Sequence, residues 1–145
     1  MIQNRSVPTD TLIAHLAYDD VDAAAAWLGE HFGAVELFRY GGDPPQGVQM
    51  RIERAVVMLG QTRPGRMSPL KAGGWTQTLS IFRDDVESLC ARLKAAGVTI
   101  AEDLNQTQYG EQQFVAEDPE GHRWLFARHV RDVAPAEWGA VTPTR

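Results

Sequence analysis

The sequence predicts an α+β domain built from two copies of a βαβββ unit. Three observations lead there. One amphipathic helix pattern occurs twice, a strand pattern precedes each copy, and three further strand patterns follow each one. The two helix segments, DDVDAAAAWL at 19–28 and DDVESLCARL at 84–93, superpose position by position. Val21, Ala24, Ala25 and Leu28 match Val86, Leu89, Cys90 and Leu93. That is the i, i+3, i+4, i+7 spacing of a helix with one apolar face.

The elements follow in order. TLIAHLAY (11–18) reads as the first strand. The Asp19–Asp20 pair suits a helix start, because a carboxylate accepts the free N–H groups of the first turn. Gly33 suits the left-handed residue that ends a helix. VELFRY (35–40), VQMRIE (48–53) and AVVMLG (55–60) are the next strands, with GGDPPQG (41–47) as turn chemistry between the first two. QTRPGRMSPLKAGG (61–74), rich in Pro, Gly and basic residues, reads as a linker. The pattern then repeats: strand WTQTLSIF (75–82), the Asp84–Asp85 cap, the second helix, Gly97, and strands at 98–104, 111–117 and 122–130, with DPEG (118–121) as a turn. Residues 131–145 have no clear period and read as a tail, with Trp138 as its candidate anchor. The expected organisation is a single domain, 1–145, with modules at 11–60 and 75–130 joined by the 61–74 linker.

Composition narrows the function classes. A chain of 145 residues can hide roughly two-thirds of its unfolded surface, so a real core is expected. The formal charge is -5 and no basic stripe stands out, which argues against nucleic acid and against an anionic membrane as partners. The single cysteine, Cys90, excludes an intramolecular disulfide and a Cys-rich zinc site, and fits a reducing cytoplasm. MIQNRSVPTD lacks the continuous apolar run of a signal peptide. No apolar stretch approaches the roughly 20 residues a membrane helix needs. GxGxxG, the Walker loop, HExxH, CxxC and the nucleophile elbow are all missing from the sequence.

Three stretches carry a resemblance to a known family: AHLAYDDVDAAAAWLGEHFGA, GGWTQTLSIFRDDVESLCARLKAAGV and YGEQQFVAEDPEGHRWLF. Over roughly residues 10–130 the chain resembles the glyoxalase/bleomycin-resistance/dioxygenase (vicinal oxygen chelate) superfamily, and the DPEGH turn before the last strand is the most specific motif. The resemblance implies that the two modules curl into an eight-stranded open barrel, a cup with helices outside. Enzymes of that family hold a divalent metal inside the cup with His, Gln and Glu. Carried over residue by residue, the three ligand positions here read Ile13, Thr76 and Leu125. Two aliphatic side chains and a hydroxyl are a poor donor set for a Lewis-acid metal. The resemblance therefore points to the metal-free, bleomycin-resistance-like branch, whose members form homodimers.

Strand residues alternate between faces. If Ile13, Thr76 and Leu125 face the cup, so do His15, Ala17, Thr78, Ser80, Arg123 and Ala127. Val56 and Met58 join them by repeat correspondence, and Gln113 and Val115 from the seventh strand. Leu12, Ala14, Leu16, Trp75, Leu79, Ile81, Trp124 and Phe126 then fall on the helix side, as burial of large apolar groups demands. The expected ligand-binding residues are His15, Met58, Thr76, Thr78, Tyr109, Gln113, Arg123 and Leu125. His15 is either a ligand partner or a strand histidine satisfied locally. Arg123 either clamps an acidic ligand or pairs with a carboxylate such as Glu117. Tyr109 either lids a ligand or packs on its own loop. His122 is expected to make a structural hydrogen bond, His129 and His31 to be solvated, Asp19, Asp20, Asp84 and Asp85 to cap helices, and Cys90 to be a buried, inert thiol.

The expected function is binding of a small organic molecule, an antibiotic or other natural product, with no cofactor, no metal and no catalytic residue. Two alternatives stay open at this point. One is a metal-dependent lyase, isomerase or dioxygenase with displaced ligands, using His15 with Gln113 or His122. The other is metal-independent catalysis with His15 as general base.

Overall fold

The computed structural model describes residues 12–144. The segment read against a signal peptide, Thr11 of the first predicted strand, and Arg145 of the tail lie outside the described residues. The chain forms two compact units. The first runs through Thr76 and takes in Pro119–His122; the second comprises Gln77–Asp118 and Arg123 onward.

The first unit holds β1 (Ala14–Tyr18), α1 (Val21–Phe32), β2 (Val35–Tyr40), β3 (Gly47–Ile52), β4 (Ala55–Gln61) and the short helix α2 (Pro69–Ala72). Its four strands make one mixed sheet in the order β1-β4-β3-β2, with β1 parallel to β4 and the other neighbours antiparallel. The second unit holds β5 (Thr78–Phe82), α3 (Val86–Ala95), β6 (Thr99–Gln106), β7 (Glu111–Glu117) and β8 (Arg123–His129), in the order β5-β8-β7-β6 with the same sense of pairing. The identical topology is the duplication made visible: the class is α+β, two βαβββ modules, each with its own four-stranded sheet.

Each module buries one sheet face under its helix. In the first, Leu16, Leu59 and Val48 are register neighbours and all fully buried. They meet the α1 stripe Val21, Ala24, Ala25, Leu28 and Phe32, the residues that the helical spacing selected. In the second, Trp124, Phe114 and Phe126 form the corresponding layer, with the Phe114 and Phe126 rings stacked at 5.4 Å. Val86, Leu89, Cys90 and Leu93 supply the helix side. The Trp124 indole N–H cannot be buried without an acceptor, and Asp118 Oδ2 provides one at 3.1 Å.

Several expectations change in detail. Leu12 precedes β1 and is 83% exposed, and Trp75 precedes β5 and is 50% exposed; neither is core. Alternation cannot place a residue that lies outside the ladder. The linker contains α2, capped by Ser68 and begun by Pro69. The tail contains a 3₁₀ turn, Pro135–Trp138, and the Trp138 ring lies 5.4 Å from that of Tyr109.

Only one of the four aspartates read as caps makes a side-chain cap bond. Asp20 accepts from Ala23 N–H at 3.0 Å. Asp19 accepts from the Thr62 hydroxyl and Lys71 instead, which holds its carboxyl below the usual range. Asp85 stands at the start of α3 but is held by Arg83 at 2.7 Å. His31 is half-buried, its ring 4.7 Å from that of Trp27.

Candidate functional site

The sheet face turned away from the helix is the part of each module not consumed by its core. In the first unit the ladder register fixes its rows. His15, Met58, Gln49 and Phe38 lie side by side across β1, β4, β3 and β2. The next row is Ala17, Gly60, Gly47 and Tyr40, and on the other side lie Val56, Arg51 and Val35. His15 is exposed, while Met58, Phe38 and Arg51 are half-buried.

Gln49, in the middle of this face, is a polar side chain only 2% exposed. The sequence reading missed Gln49, although a signal existed. The tight Glu53–Arg54 turn pairs Ile52 with Ala55, and counting back along that hairpin sets Gln49 opposite Met58. Phe38 was beyond reach, because a bulge between Glu36 and Phe38 shifts the register of β2.

In the second unit the corresponding rows are Thr78, Arg123, Glu117 and Thr99, then Ser80, Leu125, Val115 and Glu102, then Phe82, Ala127, Gln113 and Asn105. Arg123 Nη2 lies 3.0 Å from Glu117 Oε2, so its charge is met by a neighbour on the same face. The Tyr109 hydroxyl donates to Gln113 Oε1 at 3.3 Å while the ring rests on Trp138. Leu125 is half-buried beside Ser80 and Val115.

Seven of the eight expected residues thus fall into two groups. His15 and Met58 are register partners on the first sheet. Thr78, Arg123, Leu125 and Gln113 share one face of the second, with Tyr109 bonded to it. Thr76 is exposed and stands ahead of β5, outside the ladder. His122 is structural: Nε2 lies 2.8 Å from the Ala17 carbonyl oxygen. His129 is exposed and 3.0 Å from Glu111. Cys90 is buried, and burial pushes its thiol pKa up.

A different concavity of about 490 Å³ lies on the helix side of the first unit, lined by Tyr18, Ala23, Trp27 and Leu70 among others. None of the expected site residues lines it. The carboxylates at its edge, Asp19, Asp20 and Glu120, already accept hydrogen bonds from their own neighbours. The sheet face, which holds His15 beside Met58, is the better candidate.

Among the described residues no group of three or more His, Cys, Asp or Glu side chains could hold an ion. His15 shares its row with Met58, Gln49 and Phe38.

Residues 12–126 match the family model of the Glyoxalase/Bleomycin resistance protein/Dioxygenase superfamily. The chain belongs to that superfamily. An uncharacterized protein of Mycobacterium bovis, Mb0911c, is 34% identical over 131 residues, covering 84% of this chain and 85% of that one. Among solved structures, TioX from Micromonospora sp. ML1 is 32% identical, with a TM-score of 0.67 over 83% of this chain and 99% of that chain. Lactoylglutathione lyase from Agrobacterium tumefaciens, 21% identical with a TM-score of 0.63 over 83% and 94% of the two chains, shares the fold.

Proposed function

We propose that this protein binds a small organic molecule of the antibiotic or natural-product kind, without a metal, as a member of the bleomycin-resistance-like branch. The observation that carries the reading is Gln49. Its side chain, only 2% exposed, lies on a face shared with an imidazole, a thioether and a phenyl ring. A few oriented polar groups in an apolar lining are the usual make-up of a small-molecule site. His15, Met58, Thr76, Thr78, Tyr109, Gln113, Arg123 and Leu125 are the proposed contacts. Homodimer formation belongs to the same proposal and rests on the family resemblance. A reducing, cytoplasmic setting suits Cys90, a lone buried thiol.

The test is a thermal-shift screen of the full chain in chelator, against peptide and glycopeptide antibiotics, aromatic natural products and thiol conjugates. The same panel is repeated with zinc, manganese or nickel. A ligand at about 100 times its Kd stabilises by roughly 2.7 kcal/mol, a readily measured shift. A hit in chelator that weakens in His15→Ala and Gln49→Leu supports the reading. Shifts that occur only with a divalent ion refute it.

A further inference from the structure

We infer that the bound molecule carries an oxyanion, and that Arg66 and Tyr40 clamp it. The inference rests on the small-molecule reading above and adds the charge class of the ligand.

Gly60 and Gly47 are register partners on the face that holds His15 and Gln49. Each lies beneath a side chain from elsewhere. A Cβ at residue 60 would meet Arg66 Nη2 at 3.1 Å and both Cζ and Nη1 at 3.4 Å, so the guanidinium lies across that glycine. A Cβ at residue 47 would run into Cε1, Cζ and the hydroxyl oxygen of Tyr40. Directly opposed residues of neighbouring strands stand about 5 Å apart. The phenol end of Tyr40 and the Arg66 guanidinium are therefore neighbours over a floor of two glycines, with Ala17 completing the row.

Both groups point donors over this floor. Neither the Tyr40 hydroxyl nor the Arg66 guanidinium has a hydrogen bond or ion pair among the described residues, although Arg66 is half-buried. The loop carrying Arg66 is nevertheless fixed. Thr62 N–H donates to the Tyr18 carbonyl at 3.0 Å, and Arg63 and Arg66 exchange both backbone bonds at 3.0 and 2.8 Å. Gly65, at φ +82°, turns the chain between them. A half-buried arginine held in place without a counter-ion is preorganised for one, and its planar fork suits a carboxylate or phosphate.

The rest of the face agrees. Arg51 lies on it, also without a partner among the described residues, and no Asp or Glu joins it from the strands. Glu36 pairs with Met50 on the helix side. A chain of net charge -5 thus presents a local face of the opposite sign. Phe38, Met58 and the Tyr40 ring beside the clamp call for an apolar body on the anion.

The test uses three matched probes on the full chain: 2-naphthoate, 2-naphthamide and 2-naphthylmethylammonium, titrated by calorimetry at low salt. The acid is expected to bind about tenfold or more tighter than the amide, and the cation weakest. Arg66→Gln should remove most of that preference while leaving the amide's Kd within about twofold. Tyr40→Phe, which keeps the ring over Gly47, should remove a smaller part. The wild-type comparison stands even if a variant folds poorly. Equal or tighter binding of the amide or cation overturns the charge assignment alone. An acid preference unchanged in Arg66→Gln overturns the role of that residue. No binding of any probe overturns both the assignment and the small-molecule reading beneath it.

Discussion

The imidazole of His122 lies with Nε2 2.8 Å from the carbonyl oxygen of Ala17, and its ring centroid is 4.6 Å from that of Tyr18. A carbonyl only accepts, so Nε2 carries the proton. The bond ties the turn after β7 to the strand that borders the candidate site, across 105 residues of sequence. His122→Ala leaves a buried carbonyl without its donor. The expected loss is about 1–3 kcal/mol in urea unfolding, and His122→Gln, which retains an N–H, should lose less. Equal stability of wild type and His122→Ala would show that the bond contributes nothing.

Acid should weaken the protein through its paired aspartates. Hydrogen bonds from Arg83 hold the Asp85 carboxyl below its ordinary pKa, and Lys94 does the same for Asp103. A depressed carboxyl contributes stability that is complete above its unfolded pKa, about 4, and is lost as pH falls through the lower folded value. Asp85→Asn should therefore cost stability at pH 7, by less than about 1 kcal/mol for so exposed a carboxylate. The cost should shrink toward pH 3. Urea melts at the two pH values decide it, and a cost that grows in acid contradicts the pairing.

Two glycines with similar backbone angles should respond differently to alanine. Gly42 and Gly110 have φ of +99° and +93°. A Cβ at Gly42 meets nothing, whereas one at Gly110 runs into the backbone carbonyl of Arg131. Gly42→Ala should cost about 1–2 kcal/mol from φ alone. Gly110→Ala should cost about 1–3 kcal/mol more, visible as a clear gap between their melting temperatures.

Cys90 should react slowly. The thiolate is the attacking form, and burial on the apolar face of α3 both shields it and raises its pKa. Reaction with Ellman's reagent at pH 8 should be slow in native protein and prompt in denaturant. Rapid native labelling would mean that α3 opens readily.

The core was legible because hydrophobic periodicity is a local signal. Val86, Leu89, Cys90 and Leu93 are selected by helical spacing alone, and Trp124 and Phe126 by strand alternation. Alternation failed where the ladder ended, at Leu12 and Trp75, since parity has no meaning outside a strand. The Asp19 cap reading failed because Lys71 and Thr62, distant in sequence, compete for the same carboxylate.

What the sequence determined by itself was the duplicated βαβββ plan, because each helix stripe and strand pattern is written within some ten consecutive residues. What only the tertiary structure decided was which polar groups meet. The bulge in β2, the loop that lays Arg66 over Gly60, and the Tyr40 ring over Gly47 depend on cross-strand register and loop path. Those are set by contacts between segments far apart in the chain, where no local pattern reaches.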